Sequence, residues 1–81
     1  MKIRSWRASA GARRHMFRKH NVEWHEAQEV MASRPPVRRG RRRRGEQRYY
    51  VEGRTHAGRR LTVAFRMRGG TAVIVTAYEG W

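Results

Sequence analysis

Cysteine is absent from the 81 residues, so neither a disulfide framework nor a thiolate zinc site can staple the fold. Aspartate is absent too, and the four histidines are scattered away from ligand spacing with the glutamates, so no metal and no other cofactor is expected. No apolar run is long enough to cross a bilayer, and the basic start Met1-Lys2-Ile3-Arg4-Ser5-Trp6-Arg7 is not followed by the apolar stretch of a signal peptide. A membrane-surface role needs a broad apolar helix face or a lipidation signal, and neither is found. These absences lead us to expect a cytoplasmic protein that folds as one domain over 1–81. Its core must be thin, because so short a chain buries only about 60% of its unfolded surface.

What the sequence has in excess is arginine. Lys and Arg number 20 against six acids, for a formal charge of +14, and 18 of the cations are Arg, whose planar fork matches phosphate oxygens and stacks on bases. Seven of them fall between Arg34 and Gly45, a stretch with no acid and Val37 as its only large apolar residue. That composition buries too little to offset the entropy of ordering and reads as a mobile loop at about 34–45. Without those seven, thirteen cations still face six acids, so the rest of the chain is itself basic. A nucleic acid, and RNA in particular, is the expected partner.

Hydrophobic periodicity places the elements. Lys2–Arg7 reads as a short edge strand. Ser9–His20 is a basic amphipathic helix with Ala12, Met16 and Phe17 as its apolar stripe. After Asn21, a second helix runs to about Ser33, with Trp24, Ala27, Val30 and Met31 at helical spacing and Glu23 and Glu26 where the helix dipole favours anions. Pro35-Pro36 ends it. Three alternating runs follow, Arg48–Gly53, Arg60–Arg66 and Thr71–Tyr78, joined by Thr55-His56-Ala57-Gly58 and Gly69-Gly70, as in an antiparallel meander. The continuous Val73-Ile74-Val75 run predicts that the last strand sits centrally with both faces covered, the helices being the cover. The expectation is an α+β fold, two N-terminal helices packed on a small antiparallel sheet in the order β-α-α-β-β-β.

On this order of elements, Arg14-His15-Met16-Phe17-Arg18-Lys19-His20-Asn21-Val22 followed by Trp24-His25-Glu26-Ala27 resembles the paired-helix segment of BrnT-type toxins, which typically reads "RKHGV" and then an aromatic, a Glu and an Ala. Arg48-Tyr49-Tyr50, Gly53-Arg54-Thr55, Arg60-Leu61 and Val75-Thr76-Ala77 resemble that family's strand motifs in the same order. The resemblance implies a RelE-like fold, a metal-independent endoribonuclease that halts translation, with RNA such as ribosome-associated mRNA as substrate, and a ribbon-helix-helix antitoxin as cognate partner within a type II toxin-antitoxin module. Tyr78 stands where the family usually has Arg, and Arg38–Arg44 is unusually basic for it. The alternatives are a non-catalytic nucleic-acid-binding module on the same scaffold, or a basic surface made to be covered by an acidic protein.

Candidate residues follow from the chemistry. Metal-free RNA cleavage activates a 2′-hydroxyl, stabilises a charged phosphorane and protonates a leaving oxygen. Arg54 and Arg60 are candidates for holding phosphate charge. His20, at the end of the first helix, and His56, in a predicted turn, are candidates for moving protons. Arg38, Arg39, Arg41, Arg42, Arg43 and Arg44 in the loop, with Arg59 and Arg66 beside the meander, are the expected phosphate contacts. Tyr49, Tyr50 and Tyr78 offer stacking surfaces; one of the adjacent pair must face the core, and Tyr49 is expected to be the free one.

Overall fold

In the computed structural model, which describes residues 1–81, the chain forms β1 (Ser5–Arg7), α1 (Ala10–His20), α2 (Trp24–Ala32), β2 (Val37–Arg43), β3 (Glu46–Arg54), β4 (Arg60–Arg68) and β5 (Thr71–Glu79). Local chemistry sets the helix limits. The Ser9 hydroxyl accepts the Ala12 amide at 3.0 Å, satisfying one of the donors a helix start leaves free. Asn21, at φ 54°, turns the chain out of α1 directly after Arg18, Lys19 and His20, cations placed where the helix dipole favours them. In α2 the Glu26 carboxylate accepts the Glu23 amide at 3.0 Å, one half of a reciprocal cap. Its end is closed by the Ser33 hydroxyl, which donates to the Val30 carbonyl at 2.7 Å, and by Arg34 at φ 52°.

The strands form one five-stranded sheet in the order β1-β5-β4-β3-β2. From β3 to β5 it is the expected antiparallel meander, but β2 adds a further antiparallel strand and β1 pairs in parallel with β5, so the sheet is mixed. The Arg-rich stretch read as a loop is corrected: Val37–Arg43 is the edge strand β2, paired with β3 through Val37–Val51, Arg38–Tyr50 and Arg39–Tyr49. Its composition offers little to bury, yet the ladder needs only backbone groups. Arg44 at φ 50° and Gly45 at φ 81° form the two-residue turn whose twist suits a hairpin.

The central strand is β4, not β5 as the apolar run predicts; β5 lies between β4 and β1. The run has a different cause. Ala64 opposes Thr76 while Phe65 opposes Ile74, so Val75 is an extra residue at a bulge, and the alternation of β5 is interrupted there.

Both helices cover the same face. Met16, Val22, Ala27, Val30 and Met31 pack with Val51, Leu61, Val63, Phe65, Ala72, Ile74 and Ala77 in one core cluster. Gly53 lies under α2, where an added Cβ would stand 3.0 Å from a Val30 methyl. The opposite face carries no helix.

Candidate nucleic-acid interface

Strand alternation sends the neighbours of the core residues to the helix-free face. Arg60, Thr62, Ala64, Arg66 and Arg68 therefore share that face on β4. Arg54 and Tyr50 join them from β3, and Tyr78 from β5, through the register pairs Arg54–Arg60, Tyr50–Ala64 and Thr62–Tyr78. Only two carboxylates meet cations here: Glu52 is 3.6 Å from Arg38 and Glu46 is 3.3 Å from Arg66. The other ion pairs, at Glu26, Glu29 and Glu79, involve His56 and Arg59.

One pair is distinctive. Arg54 and Arg60 are direct cross-strand partners, both exposed, and no carboxylate lies within ion-pair distance of either. Like charges facing each other across a ladder are unfavourable until an anion sits between them. The Arg60 guanidinium lies 5.1 Å above the Trp81 ring, which leaves its polar edge open. Tyr78 opposes Thr62, one same-face step from Arg60 along β4, and its ring centroid is 5.8 Å from that of His20. His15 stands 5.6 Å beyond His20. The structure thus sets Arg54, Arg60 and Tyr78 at one end of the helix-free face, while His20, from the end of α1, reaches only the Tyr78 ring.

Three candidates are placed elsewhere. His56 faces α2: its amide donates to Glu29 Oε1 at 2.9 Å and its Nδ1 is 3.6 Å from Glu29 Oε2. Arg59 is not a free phosphate contact. Its guanidinium donates to the Asn21 carbonyl at 2.7 Å, the His20 carbonyl at 3.3 Å, Glu26 at 3.0 Å and Glu79 at 3.3 Å. It clamps the end of α1, the first turn of α2 and the end of β5, and the charge it carries is already matched. Glu26 responds to this clamp. Burial alone disfavours its charge, but the Glu23 amide and the Arg59 guanidinium outweigh that and hold the carboxyl below its ordinary value.

Tyr49 is the third correction. It opposes Phe65, stacks on it at 5.7 Å and packs against the core, so Tyr50 is the tyrosine on the helix-free face. The sequence held the signal: Tyr49 shares parity with the core residue Val51, and Tyr50 shares it with Arg48 and Glu52.

The arginine run is distributed by β2 and its turn. Arg38, Arg39, Gly40, Arg41 and Arg43 line one concavity with Tyr50 and Tyr78. The Arg38 guanidinium lies 4.9 Å over the Tyr50 ring. Arg43 and Arg44 border a second hollow with Arg48, whose Nε is buried without a partner. Arg42 is partly committed to its own hairpin, donating to the Gly45 carbonyl at 2.6 Å. Chemically, the face presents paired guanidinium groups for a phosphate, half-buried aromatic rings for bases, and the Tyr78 phenol one same-face step from the pair.

No protein-family model matches the sequence, and no curated protein matches it. Among solved structures, the chain is similar to the ribonuclease toxin BrnT of Brucella abortus, at a TM-score of 0.67 and 10% identity, covering 95% of this chain and 96% of that one. With two helices on one face of a five-stranded mixed sheet, the chain has the fold of the BrnT ribonuclease toxin.

Proposed function

We propose that this protein is an RNA-cleaving toxin of a type II toxin-antitoxin module, acting in the cytoplasm on mRNA, free or on the ribosome, and restrained by a ribbon-helix-helix antitoxin. The observation that carries this reading is the Arg54–Arg60 pair, two unneutralised guanidinium groups in register on an open sheet face. An RNA phosphate between them relieves their repulsion, and the doubly charged phosphorane relieves it further, so the pair favours the transition state over the ground state. In that step a 2′-oxygen loses its proton and attacks the adjacent phosphorus. The bond to the 5′-oxygen breaks, and the leaving oxygen takes a proton, giving a 2′,3′-cyclic phosphate and a 5′-hydroxyl end. His20, which reaches the Tyr78 ring from the end of α1, is the proton carrier in this reading. His56 is left with its contact to Glu29.

The fold shared with a ribonuclease toxin supports the reading. The test is incubation of RNA with purified protein in the presence of a chelator. Cleavage with cyclic phosphate ends is expected, falling roughly 100-fold or more in Arg54→Ala and Arg60→Ala and strongly in His20→Ala. Intact RNA, with and without ribosomes, rejects the enzyme. One observation favours a second reading: Tyr78 occupies the position where the resembled family has Arg, removing a cation from the site. Tight RNA binding with no cleavage under any of these conditions identifies the protein as a binding module on this scaffold.

A further inference from the structure

We propose that the concavity between β2 and the helix-free face is a stacking site for an unpaired nucleobase, with Tyr50 and Tyr78 as its aromatic surfaces and Arg38, Arg41 and Arg43 as its phosphate contacts. The proposal rests on the RNA-binding reading above and narrows its target to single-stranded nucleic acid.

Four observations meet at this place. Tyr50 and Tyr78 come from different strands, yet both line one concavity together with the β2 arginines. Both lie on the face that the core does not use, and neither phenol hydroxyl makes a hydrogen bond within the protein. Gly40 interrupts the arginine run for a reason of space: its φ is not positive, but a Cβ there would collide with the Tyr50 ring. The backbone at Gly40 is held in place by Gln47, whose Nε2 donates to the Gly40 carbonyl at 2.5 Å, and the strand register is irregular between Arg39 and Arg42. A bulge and a glycine thus bring a cationic strand against an aromatic ring. Finally, Arg38 already stacks a planar guanidinium over Tyr50 at 4.9 Å, so the ring accepts a flat, polar-edged group. Its salt partner Glu52 is 3.6 Å away and both side chains are largely exposed, which leaves Arg38 free to move onto a phosphate or onto the far side of a base.

This combination selects single strands. Base faces are hidden in a duplex, whose deep A-form major groove admits no side chains, whereas a splayed base exposes its ring to an aromatic platform. The phosphate contacts carry no such preference.

The test measures binding of a short oligouridine or oligoadenosine and of a duplex of equal length, both with 2′-O-methyl sugars so that no cleavage intervenes. Fluorescence anisotropy over a salt series gives affinity and its salt slope. The single strand is expected to bind roughly tenfold more tightly than the duplex. Tyr50→Leu and Tyr78→Leu are each expected to remove about tenfold from single-strand affinity, leaving the duplex affinity and the salt slope unchanged. Tyr50→Phe, which keeps the ring, is expected to bind as the parent does, and thermal melting checks that each variant is folded. Equal affinity for strand and duplex, or folded leucine variants that bind the strand as the parent does, overturns the stacking site while the phosphate surface stands. Failure to bind either oligonucleotide at low salt overturns the RNA reading itself. Binding of polyglutamate that is weakened by the leucine variants as much as RNA binding is overturns the nucleobase and marks the concavity as a dock for an acidic protein.

Discussion

On one face of β4, Leu61, Val63 and Phe65 are fully enclosed beneath the helices; on the other, Thr62 and Ala64 are small residues buried between longer side chains, and Arg60, Arg66 and Arg68 stand around them. The same nine residues therefore supply the core and the charged surface, separated by nothing more than the pleat. The helix-covered face contains most of what stabilises the fold through burial. The open face concentrates like charge, which the fold tolerates and a polyanion relieves. Stability and binding should therefore separate cleanly by residue parity.

The largest expected effect breaks the first half of that comparison. Phe65→Ala should cost about 3–5 kcal/mol in chemical denaturation, because it empties a fully buried site between Tyr49 of β3 and Ile74 of β5. Three positions along on the opposite face, Arg68→Ala should change stability by less than about 0.5 kcal/mol. A large loss at Arg68 would mean that the charged face is part of the core after all. Arg59→Ala comes next, at about 2–3 kcal/mol, since it leaves two helix-end carbonyls without this donor and the partly buried Glu26 without its cation, with only the Glu23 amide remaining. Because the charge of Arg59 is already matched, RNA affinity of the folded variant should stay within about twofold of the parent, unlike that of a variant lacking Arg41 and Arg43.

Replacing Arg41 and Arg43 together by Gln should sharpen the other half. Their removal is expected to lower the slope of log affinity against log salt by about 1.4 for single-stranded RNA, with no change in melting temperature. The smallest effect is a pH response. Glu26 is held below its ordinary value of 4.5, so as pH falls the unfolded chain takes up this proton before the folded one does. Its contribution to stability is present above about pH 4.5 and is lost as pH falls through the folded value. Melting temperature followed across that window should fall less steeply in Glu26→Gln than in the parent.

Much of this arrangement was legible in the sequence because it depends on local signals. The helix limits follow from Ser9, Asn21 and the proline pair, and the faces of β4 follow from strict alternation at Leu61, Val63 and Phe65. The parity of Val51 points to Tyr50 as the open tyrosine, against the expectation placed on Tyr49. The arginine strand was not legible. Composition measures what side chains can bury, and β2 is held by a backbone ladder, a two-residue turn and the clearance at Gly40, none of which needs an apolar residue. The bulge at Val75 was likewise concealed, since an inserted residue and a doubly covered strand produce the same apolar run.

The arginine excess, the two-helix-and-meander order and the resemblance to BrnT-type toxins stand in the sequence alone, because charge, period and motif order are properties of the chain. Which arginines are available is a tertiary decision. Arg59 and Arg60 are neighbours in the chain, yet Arg59, just before β4, clamps three elements, while Arg60, the first residue of β4, is half of an unneutralised pair. Only the register of β3 against β4, set by core packing on the opposite face, brings Arg54 across from it.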